Sequence, residues 1–226
     1  MPADSANPSV ARITIAIADD YPVMREGLAR LIADEFGFAV SGTAATAREL
    51  RTLVTRTPPH VLVMDLMLQE SDGLALIKDI ATLAPALRIV VFSDHLEEVY
   101  AERCLRAGAH GYVMKRDPVA TLFRAIRDVA GGGIAVSPRV SSDVLGRLMG
   151  RTARPAATVG TLTDRELQVF RLVGRALSTR AIAEKLGVSV KTVEAHRENI
   201  KGKLGLDTHA ALVARAAQWL RDSGQG

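Results

Sequence analysis

Residues 12–130 repeat one pattern of hydrophobic and polar positions, in which short apolar runs alternate with longer amphipathic segments. The apolar runs predict strands and the amphipathic segments predict helices. The predicted strands cover 12–18, 38–43, 60–65, 87–92 and 110–114, and the predicted helices cover 21–35, 46–56, 73–84, 96–107 and 118–130. Strands that alternate with helices predict an α/β doubly wound domain around a five-stranded parallel sheet.

The helical segments also predict which side chains are buried and where one helix begins. Two apolar stripes have helical spacing and are expected to be buried: Met24, Leu28, Leu31 and Ile32, and Leu76, Ile77, Ile80 and Leu83. Asp117 and Pro118 predict the start of the last helix of this region, with Asp117 as its cap and Pro118 as its first residue.

The pattern changes after residue 130. Residues 131–160 are rich in Gly, Pro, Ser, Thr and Arg, which is typical of a linker, and 141–149 have the composition for one or two helical turns. Strand patterns are absent from 162–220. We therefore predict a domain at 11–130, a linker at 131–158 and an all-α four-helix domain at 159–222.

Local signals define the helices of the C-terminal domain. Thr163 and Glu166 have the spacing of a capping box, and Ser178 is a second helix cap. Gly187 to Ser189 form a tight turn before a third helix at about 190–204, and a fourth helix runs from about 208 to 220. Two short helices joined by a glycine-containing turn predict a helix-turn-helix.

Composition and charge restrict the class of protein. The chain has 226 residues, no apolar run that could span a bilayer and a single cysteine, Cys104. Its first residues lack the pattern of a secretory signal, so we expect a cytoplasmic protein with no membrane partner. Residues 1–130 contain 14 Lys and Arg against 17 Asp and Glu, whereas 131–226 contain 15 against 8. This basic C-terminal part favours nucleic acid as its ligand, with a solvated basic surface as the alternative.

Polar residues follow four of the predicted strands. Asp19 and Asp20 end the first strand, Asp65 the third, Ser93 the fourth and Lys115 the fifth. The carboxyl ends of parallel strands line one crevice, so these side chains are expected to meet there. Taken singly, each is more typical of a turn, a helix cap or a surface charge; together they indicate a site.

Three carboxylates in one pocket repel one another unless a cation lies between them, and Mg²⁺ is the natural occupant. Asp20 would be a direct ligand, Asp19 a direct or water-mediated ligand, and the backbone carbonyl of Met67 a further ligand. Asp65 would be both ligand and nucleophile toward a phosphoryl donor. Ser93 and Lys115 would contact the oxygens of the transferred phosphoryl group.

The third helix of the C-terminal domain has the pattern of a recognition helix. Val193, Ile200 and Leu204 form an apolar face that is expected to be core. The predicted DNA contacts are Thr179, Lys191, Thr192, Glu194, Ala195, Arg197, Glu198, Lys201 and Lys203. Lys191, Arg197, Lys201 and Lys203 would supply cations around the edges of the recognition face, and the threonines would donate to phosphates. Lys191 and Ala195 are the candidates for reading bases, so replacing either is expected to change sequence preference more than overall salt dependence. The two glutamates would accept from cytosine N4, or are solvated helix charges.

These residues carry a family resemblance. Asp19-Asp20, Asp65, Ser93 and Lys115 resemble the acidic pair, phosphoacceptor, hydroxyl and lysine of a flavodoxin-like response-regulator receiver domain. Tyr112 is similar to the aromatic residue that rotates inward on activation, so Ser93 and Tyr112 would form the switch. Leu162 to Glu166 and Lys203 to Gly205 resemble a LuxR-type helix-turn-helix. The whole chain resembles the NarL/FixJ family of two-component response regulators.

The resemblance implies partners and a mode of action. A sensor histidine kinase would phosphorylate Asp65 with Mg²⁺, and phosphorylation would control dimerisation and binding to double-stranded promoter DNA. The active protein would be a homodimer joined partly through the fourth helix, and RNA polymerase is a further candidate partner. Phosphorylation and dephosphorylation of Asp65 would be its only chemistry, so we do not expect an enzyme.

The sequence departs from the family at several positions. Leu68-Gln69 replaces Met-Pro after the acceptor, Asp94-His95 follows Ser93, and Ala176 replaces a glycine between the first two C-terminal helices. Because Asp94 adds a carboxylate beside the phosphate pocket, we predict an altered lifetime of the phosphorylated form. The decay rate of phosphorylated Asp94→Ala protein tests this, and a rate equal to that of the wild type would contradict it.

One alternative class is an aspartyl-phosphate hydrolase. Such an enzyme would have a second aspartate two positions after the nucleophile, and Met67 at that position argues against it. A DNA-binding regulator whose receiver is insensitive to phosphorylation is the second alternative.

Overall fold

The computed structural model describes residues 12–68, 71–149 and 158–223, with only the backbone of Arg147 and Leu148 described. The chain divides into two compact units, one drawn from 1–93 and 104–137 and the other from 94–103 and 138–226. The boundaries predicted at residues 130 and 159 remain predictions, and the one at residue 11 lies outside the described residues. Within the described ranges, no helix has both the length and the apolar character needed to cross a membrane.

The first unit contains the predicted parallel sheet. Its strands are β1 (Ile13–Ala18), β2 (Phe38–Ala44), β3 (Val61–Met64), β4 (Arg88–Ser93) and β5 (Gly111–Met114), in the order β2-β1-β3-β4-β5. The intervening helices are α1 (Pro22–Asp34), α2 (Ala47–Arg56), α3 (Gly73–Leu83), α4 (Glu97–Ala107) and α5 (Val119–Ala130). Each prediction of a strand or helix in this region is therefore confirmed to within one or two residues.

The central strands have the continuous apolar sequence that a sheet covered on both faces requires. All four residues of β3 are buried, and β1 and β4 flank it in parallel register. Ala18 pairs with Met64, and Ser93 pairs with Met114. As a result, the residues that follow β1, β3 and β5 emerge along the same edge of the sheet as Ser93, the last residue of β4.

Two details of the helical predictions are wrong. Met24, Leu31 and Leu83 are 37%, 50% and 49% exposed, so the buried stripes of α1 and α3 are narrower than their periodicity suggests. The cap of α5 is Pro118, which has no side-chain hydrogen bond, and the helix begins at Val119. Asp117 instead accepts a hydrogen bond from the backbone N–H of Met114 at 3.2 Å.

Besides residues 94–103, which include the first part of α4, the second unit contains the remaining helices. These are α6 (Pro138–Leu148), α7 (Asp164–Gly174), α8 (Thr179–Leu186), α9 (Val190–Leu204) and α10 (His209–Asp222), with a short 3₁₀ turn at Val159–Thr161. Helix α6 lies in the predicted linker and has 11 residues, which exceeds the one or two turns expected. Residues 150–157 of that linker lie outside the described residues.

The predicted caps of the C-terminal helices are confirmed. Thr163 and Glu166 form the reciprocal capping box of α7, and the Ser178 hydroxyl accepts from the N–H of Ala181 at the start of α8. Gly187 ends α8 in the left-handed conformation, with φ of 63°. Helices α8 and α9 therefore form the helix-turn-helix that the sequence predicts.

The core of the helical unit uses much of the apolar face of α10. Leu212, Ala216, Trp219 and Leu220 are buried, and the Trp219 ring packs against Phe170 with 5.8 Å between ring centroids. Trp219 is therefore a core residue. Ala210 is exposed, and Val213 and Ala217 are half-buried, which reduces the apolar surface of α10 that remains for a dimer contact.

Ala176 occupies a backbone conformation that normally belongs to glycine. Its φ is 59°, and the N–H groups of Ala176 and Leu177 donate to the carbonyls of Val173 and Leu172 at 2.9 and 3.2 Å. This is the Schellman pattern of a helix C-terminus, with an alanine at the left-handed position. The alanine side chain makes that conformation strained.

Replacing Ala176 with glycine is expected to stabilise the helical unit by about 1 kcal/mol, because relief of the left-handed strain outweighs the added freedom of the unfolded chain. Urea denaturation of the whole chain measures the change. Gly187→Ala is the matched control: it creates the same strain at the end of α8, at a position with φ of 63° and open space around it. The control is expected to destabilise, and an Ala176→Gly protein less stable than the wild type would contradict the prediction.

Candidate functional site

Four predicted site residues lie at the carboxyl edge of the sheet, and three of them are in contact. Lys115 Nζ lies 2.8 Å from Asp19 Oδ2 and 3.1 Å from Asp65 Oδ2. Ser93, the last residue of β4, is fully buried. The loops after β1, β3 and β5 therefore bring two carboxylates and one ammonium into contact, as their positions at strand ends predict.

The contact between Lys115 and the two aspartates is almost fully removed from solvent. The side chains of Lys115, Asp19 and Asp65 are only 6%, 3% and 9% exposed. Burial raises the pKa of Asp19, although hydrogen bonds from Lys115 and the Tyr21 N–H act in the opposite direction. Burial also lowers the pKa of Lys115, but attraction to Asp65 and Asp19 outweighs it and raises the pKa overall. Lys115 is therefore a firmly charged ammonium at neutral pH.

Asp20 completes a group of three carboxylates. One oxygen from each of Asp19, Asp20 and Asp65 lies within 4.8 Å of the others. Three carboxylates and one lysine leave an excess of negative charge in a largely buried pocket, and such an excess favours a bound cation. Clustered carboxylate oxygens are the ligands that Mg²⁺ prefers, so the residues fit the ion predicted from sequence.

Two contacts near Asp19 were missed in the sequence. The N–H of Tyr21 donates to Asp19 Oδ1 at 2.9 Å, and Arg25 Nη1 donates to the Asp19 backbone carbonyl at 2.8 Å. Arg25 lies in the first turns of α1, immediately after the acidic pair. Its position within that helix could have suggested a role beside Asp19, but only the fold shows which atom it contacts.

The loop after Asp65 is held at its far end by a close backbone approach. A Cβ built on Gly73 would lie only 1.7 Å from the carbonyl oxygen of Leu66, so this contact admits no side chain. Asp72 caps α3 by accepting from the Leu74 N–H at 3.2 Å. Met67, whose carbonyl is a predicted metal ligand, is half-buried within this loop, and Gln69 lies outside the described residues.

The predicted switch residues and the unusual residues after Ser93 differ in exposure. Tyr112 is buried, and its backbone belongs to β5 next to Val91 of β4. Asp94 is exposed, whereas His95 is buried and its ring lies 5.1 Å from that of Tyr100. The switch role of Ser93 and Tyr112 and the effect of Asp94 on phosphate lifetime remain predictions.

The recognition helix presents the two faces that its sequence predicts. Val193, Ile200 and Leu204 are buried in the helical unit, whereas Lys191, Glu194, Ala195 and Glu198 are exposed. Thr192 Oγ1 lies 2.8 Å from Ser189 Oγ at the start of the helix, and Lys201 forms an ion pair with Glu198 at 3.0 Å. The exposed face is the one that can approach DNA.

Three other predicted DNA contacts have partners inside the helical unit. Arg197 Nη1 donates to the Thr179 hydroxyl, and Lys203 Nζ donates to Glu166 Oε2 at 2.6 Å. The side chains of Thr179, Arg197 and Lys203 are thus bonded to neighbouring helices, although the Lys203 side chain is still 38% exposed.

Comparison with known families identifies both domains. Residues 15–127 match the model of the response regulator receiver domain, and residues 160–216 match that of the luxR family of bacterial regulatory proteins. The chain belongs to the two-component response regulators that combine a receiver domain with a LuxR-type DNA-binding domain.

Individual relatives match 89% and 61% of the chain. Oxygen regulatory protein NreC of Staphylococcus carnosus strain TM300 is 33% identical over 207 residues, which are 89% of this chain and 95% of that protein. A LuxR-family response regulator from Aurantimonas sp. SI85-9A1 is 35% identical with a TM-score of 0.56, covering 61% of this chain and 99% of that one.

RcsB from Salmonella enterica serovar Typhimurium, bound to promoter P1flhDC in the presence of phosphomimetic BeF3⁻, gives a TM-score of 0.71. It is 24% identical and covers 92% of this chain and 99% of its own, a likeness that concerns the fold. The fold and the family predicted from sequence are thus confirmed.

Proposed function

We propose that a sensor histidine kinase phosphorylates this response regulator on Asp65, and that phosphorylation controls its dimerisation and its binding to promoter DNA. The observation that supports this most directly is the buried contact of Lys115 with Asp19 and Asp65 inside a group of three carboxylates. A structural ion pair needs one carboxylate, whereas phosphoryl transfer needs a nucleophile, a cation site and a positive charge near the phosphoryl oxygens.

Each residue has a role in the transfer. An Asp65 oxygen attacks the phosphorus of the donor, a new O–P bond forms, and the bond from phosphorus to the donor breaks with its electron pair leaving on the donor. Asp19, Asp20, Asp65 and the Met67 carbonyl would hold Mg²⁺, which neutralises charge on the phosphoryl oxygens when bound. Lys115 neutralises the same charge from the protein side, and the Ser93 hydroxyl donates to a phosphoryl oxygen.

The C-terminal domain would read double-stranded promoter DNA through α9. Its exposed residues lie on one face of the helix, opposite the buried Val193 and Ile200, as insertion into a major groove requires. A homodimer would place two such helices on half-sites about one DNA turn apart. We propose a cytoplasmic protein, with RNA polymerase as a further partner at the promoter.

The test compares DNA binding with and without a phosphoryl mimic. DNA sequences are first selected from a random library with beryllofluoride-treated protein and Mg²⁺, and the affinity of the selected DNA is then measured by fluorescence anisotropy. We expect beryllofluoride to raise the affinity of the wild type and to leave that of Asp65→Ala unchanged. Equal affinity of the wild type under both conditions would contradict phosphorylation control and favour a regulator with a phosphorylation-independent receiver.

A further inference from the structure

Four cations lie along the recognition helix α9: Lys191, Arg197, Lys201 and Lys203. A basic recognition helix is normally explained by contacts with DNA phosphates, and the sequence alone predicts that role for all four. The structure separates them into two pairs. Arg197 and Lys203, here called the internal cations, are defined by their partners, which belong to neighbouring helices. Lys191 is exposed, and Lys201 pairs with Glu198 of its own helix.

Arg197 connects α9 to the beginnings of two other helices. Its Nη1 donates to the hydroxyl of Thr179, the first residue of α8. Its Nη2 lies 2.6 and 2.7 Å from the two ring nitrogens of His209, the first residue of α10. Burial lowers the pKa of Arg197, although the nearby Glu194 and Glu198 act in the opposite direction. One guanidinium thus joins three helices.

Lys203 connects the last turn of α9 to the first turn of α7. Its Nζ lies 2.6 Å from Glu166 Oε2, and the Glu166 side chain is only 5% exposed. The same carboxylate oxygen accepts from the backbone N–H of Thr163 at 2.7 Å. Burial alone would raise the pKa of Glu166, but Lys203 and Thr163 together lower it, so this carboxylate is ionised at neutral pH.

We propose that Arg197 and Lys203 are positioning residues, which fix the orientation of the recognition helix and do not neutralise DNA phosphates. This inference rests on the proposed function, in which α9 enters the major groove. Moving Lys203 to a phosphate would leave the buried Glu166 carboxylate without its cation, which is costly. Moving Arg197 would break its bonds to both Thr179 and His209. The net charge that faces DNA is therefore smaller than the sequence of α9 suggests.

The salt dependence of DNA binding distinguishes positioning from phosphate contact. Losing one phosphate contact lowers the slope of log affinity against log salt by about one unit. Arg197→Gln is expected to keep the wild-type slope while lowering affinity for the selected DNA about tenfold, the loss that follows from a misplaced base contact. Lys191→Ala is the matched control on the exposed face and is expected to lower the slope. A slope reduced by about one unit in Arg197→Gln would overturn the proposal.

Arg197→Lys tests the same point without removing a charge. A lysine can still contact a phosphate, but it lacks the planar fork that reaches Thr179 and His209 together. We expect Arg197→Lys to bind the selected DNA as weakly as Arg197→Gln. Recovery of wild-type affinity by the lysine variant would show that charge alone matters, and would overturn the positioning role.

Glu166→Gln tests Lys203 through its partner. The substitution keeps the shape of the side chain and leaves Lys203 charged and able to move. If Lys203 positions α9, specific affinity falls; if Lys203 is a phosphate ligand, affinity stays the same or rises, which would overturn this part of the proposal. Should thermal melts show that Glu166→Gln is unfolded, Lys203→Met with a wild-type salt slope supports positioning, and a slope lowered by about one unit refutes it.

These outcomes are separable from failure of the proposed function. If the wild type and Lys191→Ala both bind DNA with no salt dependence, or not at all, the DNA-binding role of α9 is wrong. If the wild type binds and Lys191→Ala changes the slope, the proposed function stands and only the assignment of the internal cations is under test.

Discussion

Asp65→Asn protein is expected to take up no phosphoryl group from acetyl phosphate, whereas the wild type is expected to be labelled. The amide has nearly the shape of the carboxylate, but it lacks the charged oxygen that attacks phosphorus. The pocket should survive the change because Lys115 keeps its 2.8 Å bond to Asp19. Intact-mass spectrometry measures the label directly, as the mass of one added phosphoryl group.

Two controls make the result specific to the site. Asp79→Asn changes an aspartate on α3 whose side chain is 57% exposed and pairs with Arg51, so it should be labelled like the wild type. Removing divalent cations with EDTA from the wild type should abolish labelling, because the excess negative charge of the three carboxylates then repels the donor. Labelling of Asp65→Asn at the wild-type level would refute the assignment of the acceptor.

Gly73→Ala is expected to destabilise the receiver by about 3 kcal/mol, the upper end of the usual cost of overpacking. The added Cβ would lie 1.7 Å from the Leu66 carbonyl oxygen, and this neighbour is backbone rather than a flexible side chain. Either α3 or the Leu66 peptide must therefore move. Leu66 directly follows Asp65, so movement of this peptide also displaces the acceptor, and labelling by acetyl phosphate should slow.

Gly27→Ala is the matched control for this prediction. Gly27 lies within α1, and a Cβ there would have no heavy atom within 4 Å. Because alanine is the better helix former, this variant should be more stable by about 0.8 kcal/mol. Urea denaturation of both variants beside the wild type provides the measurement. A Gly73→Ala protein with wild-type stability and labelling rate would show that the close approach to Leu66 has no role.

The residues of the acceptor site could be predicted from the sequence because each can be recognised from a short stretch of chain. Each strand is a short apolar run, each functional residue ends such a run, and parallel strands bring their carboxyl ends together. That rule places Lys115 at the same edge as Asp19 and Asp65, which are 96 and 50 residues away. The hydrogen bonds from its ammonium to the two carboxylates are seen only in the structure.

Other features could not be predicted because they depend on packing between helices. Periodicity locates the buried side of α1, but it does not show how far neighbouring elements cover it, so the exposure of Leu31 was missed. The partners of Arg197 and Lys203 lie on other helices. In the sequence, a cation that bonds to another helix has the same pattern as one that contacts DNA. The close approach of Gly73 to the Leu66 carbonyl, in the loop after β3, could not be predicted either, since a glycine in a turn does not reveal which atom it approaches.

The Glu166 carboxylate links the first turn of its own helix, α7, to the last turn of α9. It completes the cap of its own helix at Thr163 and also receives Lys203, which is 37 residues further along the chain. Fraying of the first turn of α7 is therefore expected to loosen the end of α9, and detachment of α9 is expected to weaken that first turn. We therefore expect the backbone amides of the first turn of α7 and of the last turn of α9 to exchange their hydrogens with similar protection. These two helix ends of the DNA-binding domain would then open together.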